Sequence, residues 1–279
     1  MTRAAKRSMG PGRILMRFAA TNFLIFLLPT AFALIYYRVS AVAIMRNTDD
    51  LAMSQLDAGL STLDEAFAEL RRSAARFSTD YEINLYLNKS GPLSGIETYN
   101  LRRIADKVAP LVYGSDLVSD CFIYFARSEM VAYESGFSPY ADFYGPLLSV
   151  EGYGAGEWRK LILSSAEGES LLPGLRLTFG GRTFAATAAL WPLGYGDHIR
   201  GAVVSIMDER NLTKPLEKLA SEHKGWVAVL DGAGEVITIA GSGNAPQGLI
   251  DTVGEDGRAA RSLRIGNASY RLYRSASST

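Results

Sequence analysis

His198 and His223 are the only imidazoles among the chain's 279 residues. Their spacing does not make a metal site, and no HExxH motif occurs. Cys121 is the lone cysteine, which excludes an intramolecular disulfide and any CxxC metal or redox centre. Serines are plentiful, but no G-x-S-x-G elbow presents one as a nucleophile. Gly152-Tyr153-Gly154, Gly194-Tyr195-Gly196 and Gly241-Ser242-Gly243 lack the strand-to-helix setting of a phosphate loop and read as turn glycines. Neither catalysis nor a cofactor is expected. Binding is the chemistry that remains, because pockets are mostly apolar with a few convergent polar groups. Residues 124–197 supply both kinds. Tyr124, Tyr144, Tyr153 and Trp158 offer aromatic faces, and Arg182 and Asp197 offer charge from flanking strands and loops. Core packing competes for each aromatic, and a solvated turn for Arg182 and Asp197.

These residues need a sheet to hold them. Cys121-Phe122-Ile123-Tyr124-Phe125 is a short apolar run followed by the turn Ala126-Arg127-Ser128-Glu129 and a second run, Met130 to Tyr133, which predicts a hairpin. Residues 137–163 read as loops and short helices rich in aromatics. Strand patterns resume at Leu175–Phe179, Thr183–Trp191 and Gly201–Met207. Asp208 then caps a helix that places Leu212, Leu216 and Leu219 on one face. Downstream, Trp226 to Asp231, the turn Gly232 to Glu235 and Val236 to Ile239 repeat the layout of residues 122–135, and a last strand spans Ser269 to Ser275. Two related antiparallel units follow from this, the second of them short.

Ahead of the sheet lie helices. Leu56, Leu60, Leu63, Phe67, Leu70, Ala74 and Phe77 recur at alternating spacings of four and three, one continuous helical stripe. That stripe either packs on its own domain or pairs with a second copy. The segment 88–95 breaks the pattern, and Ile96 to Tyr113 make another helix. Further upstream, Phe18 to Tyr37 carries no charge, and about twenty residues at ~1.5 Å of rise span a bilayer core. Acidic and basic residues balance at 29 each, yet Arg3, Lys6, Arg7, Arg13 and Arg17 all precede the apolar run. The positive-inside rule places residues 1–17 in the cytoplasm and the body outside. A cleaved signal peptide competes, with Ala31-Phe32-Ala33 as its site, but the apolar run continues past that point. The mildly acidic body carries no footprint for nucleic acid.

These features together resemble the double-Cache extracytoplasmic sensor region. FIYFARSEMVAYESG at 122–136, FYGPLL at 143–148, EWRKLIL at 157–163, GAVVSIMDERNL at 201–212 and VAVLDGAGEVI at 227–237 look closest to the sensors of bacterial membrane-bound AraC-type transcription regulators. Related sensor histidine kinases share the layout. The resemblance implies an α+β fold with PAS-like sheets and a receptor that passes a ligand signal along helices to a DNA-binding or kinase output. It also places Tyr144, Tyr153 and Trp158 on the segment capping the sheet. The amino-acid-sensing pattern of that group, an aromatic-Arg-x-Trp-aromatic cluster with a downstream Asp, is not matched by GEWRKL around Trp158. The expected layout is a basic tail (1–17), a transmembrane helix (18–37), a stalk helix (38–80), a membrane-distal unit (81–208), and a linker helix with a membrane-proximal unit cut before its output (209–279). Expected partners are the membrane, an unidentified small molecule and a second copy through the stalk.

Overall fold

The computed structural model describes residues 11–91, 93–164, 168–195, 198–222, 225–230, 236–241, 261–265, 268–273 and 275. Helix α1 runs Pro11–Thr79. The chain divides into two compact units, Met1–Ser54 and Gln55–Thr279. In the first, the apolar side chains of the Phe18 to Tyr37 stretch face outward, and none of it is buried within the protein. Among the described residues this is the one helix long and apolar enough to cross a membrane, and it fits a single span. The helix passes through Pro29, one turn beyond which the Thr30 hydroxyl donates to the Phe26 carbonyl at 2.8 Å. No break separates span from stalk at Tyr37–Arg38, where the composition changes but the helix does not.

In the second unit the leucine stripe of α1 turns inward. Leu63, Leu70, Ala74 and Phe77 are buried in a core with the sheet, while Leu56, Leu60 and Phe67 are half-buried. The stripe therefore packs on its own domain, the plainer of its two sequence readings. Helix α2, Tyr81–Leu87, starts where Asp80 accepts hydrogen bonds from the amides of Glu82 and Ile83 at 2.9 and 3.1 Å. Helix α3, Gly95–Tyr113, starts at a capping box of Ser94 and Glu97 and buries Leu101, Ile104, Ala105 and Val108.

The sheet follows. Its strands are β1 (Asp120–Phe125), β2 (Met130–Tyr133), β3 (Gly136–Pro139), β4 (Leu148–Val150), β5 (Ser170–Phe179), β6 (Arg182–Tyr195) and β7 (His198–Asp208). All pair antiparallel in the order β3-β2-β1-β7-β6-β5-β4. The central five carry the PAS-like order, and the architecture is α+β. Side chains alternate between faces along each strand. Cys121, Ile123, Phe125, Ala189, Trp191, Val203 and Met207 face the helices, whereas Phe122, Tyr124, Ala188, Leu190, Ala202, Val204 and Ile206 face the opposite core. Gly201 is needed where β7 passes β1: a Cβ there would collide with the Tyr124 carbonyl oxygen and sit 2.7 Å from Leu87 Cδ2.

Helix α6, Glu209–Glu222, leaves the end of β7, numbered after two short helices of the second core, α4 (Tyr140–Phe143) and α5 (Ala155–Ser164). Asp208 accepts from the Arg210 amide at 3.0 Å, as expected of its cap, and Leu212 and Leu216 are buried. α6 lies against α1 at a glycine, since a Cβ on Gly59 would stand 2.9 Å from Leu216 Cδ2. Beyond it, β8 (Trp226–Leu230) pairs with β9 (Val236–Gly241), and β10 (Arg261–Ile265) with β11 (Ala268–Leu272). The expected turn at 232–235 lies outside the described residues.

Candidate ligand-binding site

Residues 136–164 fold β3, α4, β4 and α5 over the face of the sheet opposite the helices. Aromatic spacing explains the fit. Tyr140 and Tyr144 stand one helical turn apart with rings stacked at 5.9 Å, and Tyr140 meets Tyr124 of β1 at 5.1 Å. Next to them, Phe143 is wedged among Phe122, Tyr133 and Phe179 at 4.9, 5.5 and 6.0 Å. Trp158, on α5, is fully buried and meets the half-exposed Tyr153 edge-on at 6.0 Å.

Backbone bonds hold these rings in place. The Tyr140 hydroxyl donates to the Ala155 carbonyl at 2.7 Å. The Tyr144 hydroxyl donates to the Tyr153 carbonyl at 2.5 Å and accepts from the Val150 amide at 3.4 Å. At the N-terminus of α5, Glu157 accepts from the Gly154 amide at 2.8 Å. Burial raises the titration of Tyr124, Tyr140 and Tyr144 above the usual phenol range, so all three stay neutral. One donor is left over: Trp158 Nε1 is buried and has no hydrogen-bond partner. A buried unpaired N–H costs ~1–3 kcal/mol.

The rim is charged. Arg159 Nη1 meets Glu129 Oε1 at 2.7 Å, joining α5 to the β1–β2 turn. Glu129 holds φ at 51°, a left-handed conformation that a residue with a Cβ adopts at a cost, while its carbonyl accepts from the Tyr140 amide at 2.7 Å. Arg159 lies close enough to Tyr124 to oppose the upward shift of its phenol. The arrangement offers aromatic faces, a neutral donor inside and an ion pair at the edge. It suits a small solute with flat or apolar surface and a hydrogen-bond acceptor.

Four of the six residues singled out in the sequence thus meet: Tyr124, Tyr144, Tyr153 and Trp158. Arg182 does not join them. It is exposed at the start of β6, with its guanidinium 5.5 Å from the Phe184 ring centroid, whereas β7's Ala202 pairs Tyr124 with Pro192 at the far end of that strand. Asp197 lies outside the described residues. Tyr140, Arg159 and Glu129 were missed. The four-residue spacing of Tyr140 and Tyr144 was a usable signal, whereas nothing in the sequence links Glu129 to Arg159.

No family model and no curated protein matches the chain. Among solved structures, one similar chain is the ligand-binding domain of the amino acid chemoreceptor PctC of Pseudomonas aeruginosa PAO1 in complex with GABA. It is 10% identical, with a TM-score of 0.46, covering 78% of this chain and 88% of that one. Another is an extracellular ligand binding receptor from Desulfohalobium retbaense, 13% identical with a TM-score of 0.44, covering 78% of this chain and 38% of that one.

Proposed function

We propose that the chain is the extracytoplasmic ligand-sensing region of a bacterial transmembrane signalling receptor of the double-Cache kind, with transcription as its output. Residues 1–17 lie in the cytoplasm and the sheet outside. The observation that carries this reading is the orphaned Trp158 Nε1 inside a layer of aromatic rings, a donor held ready for an acceptor that the protein itself does not supply. The composition of the first forty residues and the resemblance of residues 122–237 to sensors of membrane-bound AraC-type regulators add to it. A homodimer belongs to this reading. Its contact on α1 uses the face opposite Leu63 and Leu70, which are buried.

The test is isothermal titration of the full chain in lipid nanodiscs against pools of small metabolites, alongside Trp158→Phe, which keeps an aromatic ring and deletes the N–H. A solute that binds the native chain and binds Trp158→Phe at least tenfold more weakly supports the site, tenfold being about 1.4 kcal/mol. Equal binding to both proteins rejects the site.

A second reading, an interaction module for a protein partner, is favoured by one observation. Tyr81, Leu85, Ile96, Tyr99 and Tyr113 on α2 and α3 are exposed large hydrophobic residues outside the membrane helix. Binding of a partner protein with no solute bound at the aromatic cap is the outcome that selects it.

A further inference from the structure

At the end of the sheet away from Tyr124, two carboxylates share a poorly hydrated position. Asp120 opens β1, and Glu134 follows the last residue of β2, one step beyond the pairing of Phe122 with Tyr133. Glu134 Oε2 is buried without a hydrogen-bond partner. Charged groups on the neighbouring elements are few. Arg182 acts on Asp120 from β6, and it acts as well on Asp208 at the end of β7. Asp208 is itself gripped by Arg210 of α6 at 2.5 Å and lies beside Glu209. From α3, Arg102 spends one donor on the Ser135 carbonyl at 2.8 Å and pairs with Asp106 at 3.4 Å. Cys121, between the two acids and the helix-side core, is buried and donates nothing to either.

We propose that Asp120 and Glu134 form a proton-binding switch that takes up one proton as the surrounding pH falls and reports it, through Arg182 and Asp208, to the start of α6. Two carboxylates with one Arg between them and a third acid cannot all stay ionised without strain, since like charges in a desolvated position repel. With both ionised, Arg182 is divided between Asp120 and Asp208. With one proton bound between the acids, the orphaned oxygen gains an O–H partner and Arg182 is left to Asp208, whose carboxylate caps α6. The pair titrates as a unit.

The electrostatics agree in direction. Burial, then the charge of Glu134, pushes Asp120 up to about 7 against the pull of Arg182, and burial raises Glu134 as well. Burial also pushes the Cys121 thiol up to about 12, so it stays neutral throughout. Asp208 is raised by burial but brought below its usual value overall by the hydrogen bonds and charge of Arg210. Because Asp120 binds its proton more tightly in the folded than in the unfolded chain, stability rises as the pH falls through about 7 toward its ordinary value of 3.8.

The experiment follows thermal unfolding of the full chain in nanodiscs from pH 8.5 to pH 5, with native protein, Asp120→Asn and Glu134→Gln. Hydrogen exchange across α6 is measured in parallel and corrected for the intrinsic pH effect. The native melting temperature should rise by several degrees between pH 8.5 and pH 5. Asp120→Asn, which imitates the protonated acid, should melt higher than native at pH 8.5, match it at pH 5 and lose most of the pH dependence. Glu134→Gln should keep a transition with a lower midpoint. Protection of α6 should change with pH in the native chain and stay fixed in Asp120→Asn. Parallel pH profiles for native and Asp120→Asn overturn the switch. A stability transition without any change in α6 overturns the relay. Should Asp120→Asn fail to fold, Glu134→Gln decides: an unshifted midpoint also overturns the proposal.

Discussion

Glu129, Trp158 and Gly201 each depart from what an unconstrained position would hold, and each departure does something different. Glu129 accepts a left-handed backbone to place its carbonyl on the Tyr140 amide and its carboxylate on Arg159. Trp158 leaves a donor unused. Gly201 gives up a side chain so that Leu87 and the Tyr124 backbone can close on β7. The last is the easiest to check: Gly201→Ala should destabilise the protein by ~1–3 kcal/mol, read as a lower melting temperature, because a Cβ there overpacks a rigid site. Unchanged melting would mean that β7 and α2 shift apart at little cost. At this scale the sequence exposed the aromatic members of the site, since large rings on a strand and a capping segment have few places to go. It misplaced Arg182, because distance along a strand from a chosen partner is set by pairing register, which no local pattern encodes. It missed Glu129 with Arg159, an ion pair thirty positions apart in sequence.

At the scale of elements, the four-and-three stripe on α1 identified the helix and its buried face but not the partner of that face. Leu63 and Leu70 now answer that question through their burial against the sheet. Leu63→Asp or Leu70→Asp should abolish cooperative unfolding, each costing more than ~3 kcal/mol by burying an unpaired charge. Glu65→Gln or Glu69→Gln, at exposed positions of the same helix, should change stability by less than ~0.5 kcal/mol. Near-native melting of the two Asp variants would show that the stripe packs elsewhere. The short helix Tyr81–Leu87 had no reading in the sequence, because two turns are too few for a periodicity, and its start is fixed by the Asp80 cap and by Lys107 holding Asp80 at 2.6 Å. The strands of the sheet were legible within a few residues, β5 and β6 extending further than their apolar runs because edges of paired strands need not be apolar.

Across the whole molecule, the class of fold was readable and the strand order was not. β1 pairs with β7, bringing Cys121 to Ser205 across 84 positions, and long-range pairing of that kind leaves no local trace. The membrane helix was the most legible feature of all, since its length and lack of charge are properties of the sequence alone. Its direction is open to a direct test. A cysteine placed at Thr2 should resist a membrane-impermeant maleimide in intact cells, whereas one at the exposed Ala75 should react; the reverse pattern would invert the topology. The buried Cys121 leaves little background labelling to subtract.

Gly59 has one more implication. It lets α6 rest against α1, so the chain leaves the sheet beside the helix by which it arrived, within reach of Gln55 and Glu222, which bond at 2.9 Å. Everything between those two positions is an excursion from a single seam. Such a segment can be lifted out and exchanged as one piece. Receptors joined at equivalents of Gly59 and Leu216 should tolerate foreign sensory heads, so specificity could diversify over evolutionary time while the helices beneath the seam were left alone.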